Sequence, residues 1–279
     1  MPMFCRHNRL TAKCPICSRE LQADLKARTP ISSSRPRSGS SSRGGTTPRR
    51  SGVVTKRLAR AADDGYRNAL VPGLRATADA ERLAAALTAA AARLEPPGPF
   101  PEVAAEPDLD EATWLAFLLA HGSDERPAWG SGESPDRTAE AYRAWVDRAG
   151  SQAQAFEGEP AWTPQRRFTR VFERLALPGF ARAERFELLA GLGAAGRYPL
   201  VAGELHLAAG EDATTEAAKR LLVSGDKLLL ERRARDLAEA AEVPLGALDR
   251  ALAIWGTPGD HADLAAEAPA PILAALSLR

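Results

Sequence analysis

The first seventeen residues contain all three cysteines of the chain. Cys5 and His7 form a C-x-H pair, and Cys14 and Cys17 form a C-x-x-C pair after six intervening residues. Zinc prefers four tetrahedral nitrogen and sulfur ligands, and this set supplies one nitrogen and three sulfurs. The spacing therefore predicts a structural zinc knuckle over residues 1–25. A catalytic zinc is not expected, because four protein ligands leave no position for water.

A redox C-x-x-C motif and a disulfide are the competing interpretations of these cysteines. A redox motif needs a βαβ context that the sequence lacks, and three cysteines cannot all pair. A secreted disulfide scaffold would also need a signal peptide with an apolar core, which residues 1–20 do not contain. Thiols kept reduced for a metal predict the cytoplasm. No run of eighteen apolar residues is present, so we expect no membrane span.

Positive charge is concentrated directly after the knuckle. Residues 26–60 contain ten Lys or Arg and no acid, whereas the whole chain has a formal charge of +1, which leaves −9 for the rest. Residues 26–52 have almost no large apolar side chains, and we expect a disordered basic linker there. Such a segment could bind the phosphates of a nucleic acid or simply be a solvated linker. Both interpretations stay open, because no aromatic residue is interleaved for base stacking.

The remainder of the chain is rich in Ala, Leu and Arg and poor in β-branched residues, which predicts an all-α fold. We expect a helical segment over 53–95, a Pro-rich linker, a compact helical domain over 107–257 and a tail over 258–279. The short apolar helix that follows Asp110 is expected to be a core element. His121 and His206 are expected to be capping or packed surface histidines and not metal ligands, because neither has a second donor at ligand spacing.

Residues 175–189 contain a Pro178-Gly179 turn between two helical patterns, which predicts a helix-hairpin-helix-like corner. In such a corner the amides at the start of the second helix can hold a phosphate, and Arg182 and Arg185 would add positive charge. The alternative is an ordinary corner with solvated arginines. Ala181 occupies a position where the hairpin usually has a second glycine.

Two acids in the second half of the chain could carry chemistry. Asp226 lies at a predicted helix start among Lys and Arg, and Asp249 lies on an apolar helix near Trp255. Burial of either carboxyl group could shift its ionisation towards base catalysis. Helix capping or ion pairing is the alternative for both.

Several short motifs together resemble the alpha-glutamyl/putrescinyl thymine pyrophosphorylase group, which is itself similar to helix-hairpin-helix DNA glycosylases. They are the Cys/His knuckle, Leu177-Pro178-Gly179-Phe180, Arg185-Phe186-Glu187-Leu188-Leu189, Lys219-Arg220 with Gly225-Asp226, and Leu248-Asp249-Arg250-Ala251-Leu252 near Trp255-Gly256. The resemblance covers about residues 107–257. It implies action on an extruded thymine derivative in DNA, in which an amine displaces pyrophosphate. It also implies phosphate contacts and a carboxylate near the base. By position, the resemblance assigns phosphate contacts to Pro178, Gly179, Arg182 and Arg185, and the carboxylate near the base to Asp226 or Asp249. Lys219 and Arg220 are also expected to bind nucleic acid.

The sequence therefore predicts a DNA-directed protein with a structural zinc, acting as a base-modifying or glycosylase-like enzyme. The alternative is a non-enzymatic zinc-containing protein that binds nucleic acid or serves as an adaptor. In the adaptor hypothesis the knuckle binds a protein partner and the helical body is a scaffold.

Overall fold

The computed structural model describes residues 61–257 and 267–278, so the predicted zinc knuckle and basic linker lie outside the described residues. Within these ranges the chain forms eleven α-helices, two short 3-10 segments and no strand, which confirms the all-α prediction there. The helices are α1 Thr77–Leu94, α2 Pro101–Ala105, α3 Leu109–His121, α4 Arg137–Ala149, α5 Gln152–Glu157, α6 Pro164–Arg174, α7 Arg182–Ala194, α8 Ala213–Leu222, α9 Lys227–Ala240, α10 Leu245–Gly256 and α11 Ala270–Ala275.

Local capping residues determine where many of these helices begin. The carboxylates of Asp108, Asp136 and Asp212 each accept a hydrogen bond from a backbone N–H in the first turn of α3, α4 and α8. These N–H groups have no partner within the helix, so the cap stabilises each start. At the other end of α3, Gly122 adopts a left-handed φ of 75° and closes the helix.

The helix α10 packs most extensively against α1 and also against α8. Leu83 and Leu87 of α1 and Leu248 and Leu252 of α10 are fully buried. A helix predicted within the segment 53–95 therefore shares its core with helices predicted in a separate domain. The proline-rich stretch between them contains the short helix α2.

The predicted tail also joins this core. In α11 and just after it, Ile272 and Leu276 are buried, and α11 packs against α9 and α1. Tyr66 Oη donates to the Leu276 carbonyl at 2.5 Å, and Asn68 Nδ2 donates to the Ala275 carbonyl at 2.9 Å. The described helices belong to one compact unit, in which the first and last described segments are in contact.

The helix α3 is a core element, as its sequence predicts. Its side chains Trp114 and Phe117 are buried, and the Phe117 ring stacks on Tyr142 of α4 with the centroids 4.1 Å apart. Phe180, just before α7, packs on the same ring at 5.1 Å. These contacts fix the position of the corner between α6 and α7. None of the described helices has both the length and the apolar character needed to cross a membrane.

Candidate functional site

The Pro178-Gly179 corner lies on the surface between α6 and α7. Both residues are exposed, and Gly179 has a left-handed φ of 81°. The Phe180 N–H donates to the Leu177 carbonyl at 3.1 Å, which closes a tight turn. A Cβ at position 179 would lie 2.3 Å from Thr138 Oγ1, so the site requires glycine for its space as well as for its φ.

A carboxylate of the protein itself occupies the start of α7. Glu184 Oε2 accepts a hydrogen bond from the Ala181 N–H at 2.6 Å. His121 Nδ1 lies 3.4 Å from Glu184 Oε1, and its Nε2 lies 2.8 Å from Asp136 Oδ2. Two acidic side chains therefore surround the helix start where the sequence predicts a phosphate. A phosphate would have to displace Glu184 and approach Asp136.

Arg182 is buried, with 2 % of its surface exposed, and it contacts three other parts of the fold. Its Nε donates to Asp212 Oδ2 at 2.5 Å and its Nη2 donates to Asp249 Oδ1 at 2.6 Å. Its Nη1 donates to the Leu205 carbonyl. These two carboxylates keep the pKa of Arg182 above its usual value despite burial, so the guanidinium is charged. The structure thus gives Arg182 protein partners in place of the predicted phosphate.

Arg185 is also buried, with 7 % of its surface exposed. Its guanidinium carbon lies 4.4 Å from the centroid of the Phe172 ring, and its Nη1 donates to the Phe172 carbonyl at 3.3 Å. Burial and the charge of Arg182 lower the pKa of Arg185. Like Arg182, this arginine faces the core, so the positive charge predicted beside the corner is directed inwards.

Asp249, a candidate for base catalysis in the sequence, is a buried carboxylate. It is 7 % exposed, and burial raises its pKa to about 6 although Arg182 acts in the opposite direction. The cavity beside it, lined by Glu187, Arg250 and neighbours, has a volume of about 10 Å³. That volume suits about one water molecule and is far too small for a nucleobase. Ion pairing with Arg182 is the role that the geometry gives Asp249.

The remaining predicted site residues lie around α8 and α9. Asp226 is exposed and caps α9, because its Oδ1 accepts hydrogen bonds from the N–H groups of Leu228 and Leu229 at 2.8 and 3.1 Å. Lys219 forms ion pairs with Glu211 and Glu216, which hold its charge at the surface. Arg220 is exposed at the end of α8. The structure does not bring these residues together with Arg182. Among the predicted site residues that the structure describes, only Arg182 and Asp249 form a side-chain hydrogen bond with each other.

His206 is the second buried titratable group near this network. Its backbone is left-handed, with φ 55°, and 8 % of its side chain is exposed. Its ring stacks on Phe172 with the centroids 4.1 Å apart. Burial, with the charges of Arg182 and Arg185, lowers the pKa of His206 to about 4, so the ring is neutral at pH 7. His206 is therefore packed against an aromatic ring, as predicted, but its side chain is mostly buried and does not lie on the surface as expected.

No protein-family model matches this chain, and no curated protein or solved structure is significantly similar to it. The resemblance to the thymine pyrophosphorylase group therefore stays a prediction.

Two acids of the buried network are absent from the sequence prediction. Asp212 caps α8 and also binds Arg182. Glu231 of α9 accepts hydrogen bonds from the N–H groups of Leu205 and Leu207 at 2.7 and 2.6 Å, which fixes the loop before α8. Asp212 directly precedes a helical pattern, and an aspartate at that position indicates an N-terminal helix cap. Its second partner lies thirty positions away in the sequence and has no local signal.

The predicted zinc ligands Cys5, His7, Cys14 and Cys17 lie outside the described residues. Within residues 61–257 and 267–278, no group of three or more His, Cys, Asp and Glu side chains is placed to hold a metal ion. The zinc prediction thus concerns the first 25 residues alone.

Proposed function

We propose that the protein binds DNA through its basic segment, residues 26–60. The observation that carries this proposal is the segregation of charge along the chain. The segment has ten Lys or Arg and no acid. Contacts between these side chains and phosphates release counterions, which gives an affinity that is independent of sequence and sensitive to salt.

The charge of the helical body supports this assignment. The described residues include 22 Lys or Arg and 32 Asp or Glu, which gives a formal charge of −10. A body of that charge repels a duplex except at local basic patches. Attraction to DNA must therefore come largely from the first sixty residues.

The zinc knuckle is part of the proposal. Cys5, His7, Cys14 and Cys17 would hold one zinc ion, and metal binding would supply the folding free energy of a segment too short for its own core. The knuckle would then give the basic segment a folded unit at its N-terminal side.

Base modification, which the resemblance implies, has less support from the described residues. Asp226 caps a helix, and Asp249 is bound to Arg182 beside a cavity of about 10 Å³. An extruded base would reach Asp249 through that cavity only if the residues around it moved apart. Binding of DNA is therefore the function that charge and geometry support best.

The test is a fluorescence anisotropy titration of labelled duplex DNA with the full-length protein between 50 and 300 mM salt. We expect the logarithm of the association constant to fall linearly with the logarithm of the salt concentration, with a slope of about −0.9 for each phosphate contacted. A variant with Gln at five arginines of the segment should make this slope less negative by about 4 to 5. These arginines are Arg35, Arg37, Arg43, Arg49 and Arg50.

The matched control carries five Arg→Gln substitutions at exposed positions of the helical body. The positions are Arg137, Arg148, Arg166, Arg170 and Arg250. If the DNA affinity falls by the same factor in both variants, the net charge of the protein and not the basic segment governs binding, and the proposal fails. Absence of measurable binding at 50 mM salt also refutes it and leaves the hypothesis of a protein partner for the knuckle.

A further inference from the structure

A groove lies between α1 and the last described residues of the chain. Its volume is about 560 Å³, and most of the described side chains that line it are apolar. Its walls include Tyr66, Thr77, Glu81, Ala85, Leu273 and Leu278. We call it the α1–α11 groove. A groove of this size and composition is suited to hold apolar side chains.

Glu81 is the one charged side chain among the described residues that line the groove, and it is exposed. It forms no hydrogen bond or ion pair with another described residue. The cations closest to it in the sequence are already paired, because Arg82 binds Asp79 and Arg67 binds Asp63. Glu81 is therefore available to bind a positively charged group that enters the groove.

The remaining charges at the rim leave it negative. Arg75 and Glu267 have no partner among the described residues and oppose one another in sign. Asp64 accepts hydrogen bonds from the backbone N–H groups of Tyr66 and Thr77, which are neutral donors. Together with Glu81, these groups favour a cationic occupant over an anionic one.

The described part of the chain begins at the edge of this groove. Asp64 Oδ2 accepts a hydrogen bond from the Thr77 N–H at 2.8 Å, and Thr77 lines the groove. Leu58 precedes Asp64 by six positions in the sequence. Because six residues span at most about 20 Å, Leu58 and its neighbours in residues 55–60 are within reach of the groove.

Residues 55–60 have the chemistry that the groove requires. They contain Lys56, Arg57 and Arg60, no acid, and one large apolar side chain, Leu58. Burial of Leu58 against apolar walls removes hydrocarbon surface from water. The cations beside it can pair with Glu81.

Residues 258–266 are the other segment that adjoins the groove in the sequence, because they directly precede Glu267. They contain Asp260 and Asp263 but no Lys or Arg, and Leu264 is their one large apolar side chain. In the groove these acids would face Glu81, which has the same charge. Complementarity of charge therefore selects residues 55–60.

We propose that residues 55–60 dock in the α1–α11 groove, with Leu58 between α1 and α11 and the adjacent cations paired with Glu81. This contact goes beyond the proposed function and does not depend on it. The five arginines chosen above to test DNA binding, at positions 35 to 50, all precede the docked residues.

The test measures trypsin cleavage of the full-length protein by mass spectrometry. The cleavage rate after Arg60, divided by the rate after Arg50, reports how often residues 55–60 leave the groove, because proteolysis follows the population of the open form. A synthetic peptide of residues 46–66, which has no groove, gives the reference ratio. For the unaltered protein we expect a ratio at least about tenfold below this reference.

Two substitutions should remove this protection, and each has a matched control. We expect Leu58→Ser, compared with a peptide that carries the same change, and Glu81→Lys each to raise the ratio about tenfold. Ile31→Ser removes a large apolar side chain of the basic segment outside residues 55–60, and Glu95→Lys alters an exposed acid that follows α1 and has no side-chain partner among the described residues. Both controls should change the ratio by less than about twofold.

A reversal of charges distinguishes pairing with Glu81 from a general loss of stability. In the Glu81→Lys protein, Lys56→Glu with Arg57→Glu places opposite charges together again. We expect this triple variant to regain protection at Arg60, whereas the double change in the unaltered protein should lose it.

Several results would overturn the inference. The first is a ratio in the unaltered protein equal to that of the peptide. The second is an equal ratio for Glu81→Lys and Glu95→Lys, since the segment would then be protected elsewhere. Protection that rises with protein concentration would show that a second copy binds the segment. If Leu264→Ser lowers the Tm by several degrees and Leu58→Ser does not, residues 258–266 fill the groove instead. None of these measurements uses DNA, so a failure of the proposed function leaves this inference standing.

Discussion

One guanidinium, that of Arg182, contacts side chains of α8 and α10 and the backbone of the loop before α8. Its partners Asp212 and Asp249 are 30 and 67 positions away in the sequence. A buried ion network of this kind contributes little compared with apolar packing, but loss of one partner leaves the others charged and unpaired. Arg182 is therefore a residue on which the stability of the fold depends.

We expect Arg182→Met to lower the free energy of unfolding by about 3 to 5 kcal/mol, because it leaves two carboxylates without a countercharge. The measurement is urea unfolding followed by circular dichroism at 222 nm. Arg148→Met, at an exposed position of α4, is the control and should change stability by about 0.5 kcal/mol or less. A loss below about 1 kcal/mol for the Arg182 variant would contradict the role of the network.

His206 and Asp249 predict opposite dependences of stability on pH. The pKa of His206 is lowered from 6.5 to about 4, so the unfolded state takes up this proton first and stability falls as pH drops from 6.5 to 4. The pKa of Asp249 is raised from 3.8 to about 6, so the folded state takes up this proton first and stability rises as pH drops through the same range. The two effects, each on the order of 3 kcal/mol, oppose one another.

Single variants should separate these two effects. For Asp249→Asn, we expect the free energy of unfolding to fall more steeply between pH 7 and 4.5 than for the unaltered protein. For His206→Phe we expect a shallower fall. The stacking on Phe172 should be kept, because Nε2 has no hydrogen-bond partner among the described residues and the change removes only the 3.4 Å contact of Nδ1 with Glu204. Urea unfolding at several pH values measures both slopes. Equal slopes for all three proteins would refute the assignment.

At the scale of elements, the helix ends explain much of the local structure. Asp226 starts α9 by accepting hydrogen bonds from two backbone amides of its first turn, whereas Glu184, inside the first turn of α7, accepts one from the backbone N–H of Ala181 just before that helix. The C-terminal end of α8 differs, because Val223 occupies a left-handed position where glycine is usual. The α8–α9 corner is therefore held by Arg233 and not by a favourable end residue.

We expect Val223→Gly to raise the free energy of unfolding by about 1 kcal/mol, because glycine adopts a left-handed φ without strain. Gly179→Ala is the opposite change at the α6–α7 corner, and it should destabilise the fold through its φ of 81° and its contact with Thr138. Thermal unfolding of both variants tests the pair. A Val223→Gly variant less stable than the unaltered protein would show that the corner is not strained.

At the scale of the molecule, the described helices form one core, whereas the predicted metal and DNA contacts lie mainly in the first sixty residues. The large buried side chains of that core come from residues 71–276. The helical body should therefore be stable without the zinc knuckle.

We expect the full-length protein to contain about one zinc per chain, and Cys17→Ser to lose it. Removal of zinc with a chelator should weaken DNA binding but leave the Tm of the helical signal unchanged within about 2 °C, since the core does not use the metal. Metal analysis and circular dichroism provide the two measurements. A large fall in Tm on chelation would show that the knuckle stabilises the helical body.

The helical class and the approximate position of most helices can be predicted from local sequence patterns. This is possible because caps such as Asp226 and the spacing of apolar residues in α3 and α10 act within a few residues of one another. The turn at Pro178-Gly179 can also be predicted from local sequence, since its geometry depends on the φ angles of adjacent residues.

The direction and the partners of the charged side chains, in contrast, depend on how the helices pack together. Arg182 and Arg185 form a pattern that predicts a basic surface, yet they share a helix face with Phe186 and Leu189, and that face is buried. The spacing of Phe186 and Leu189 was the available local signal. The partners of Arg182 become neighbours only when α7, α8 and α10 pack together, so no local pattern specifies them.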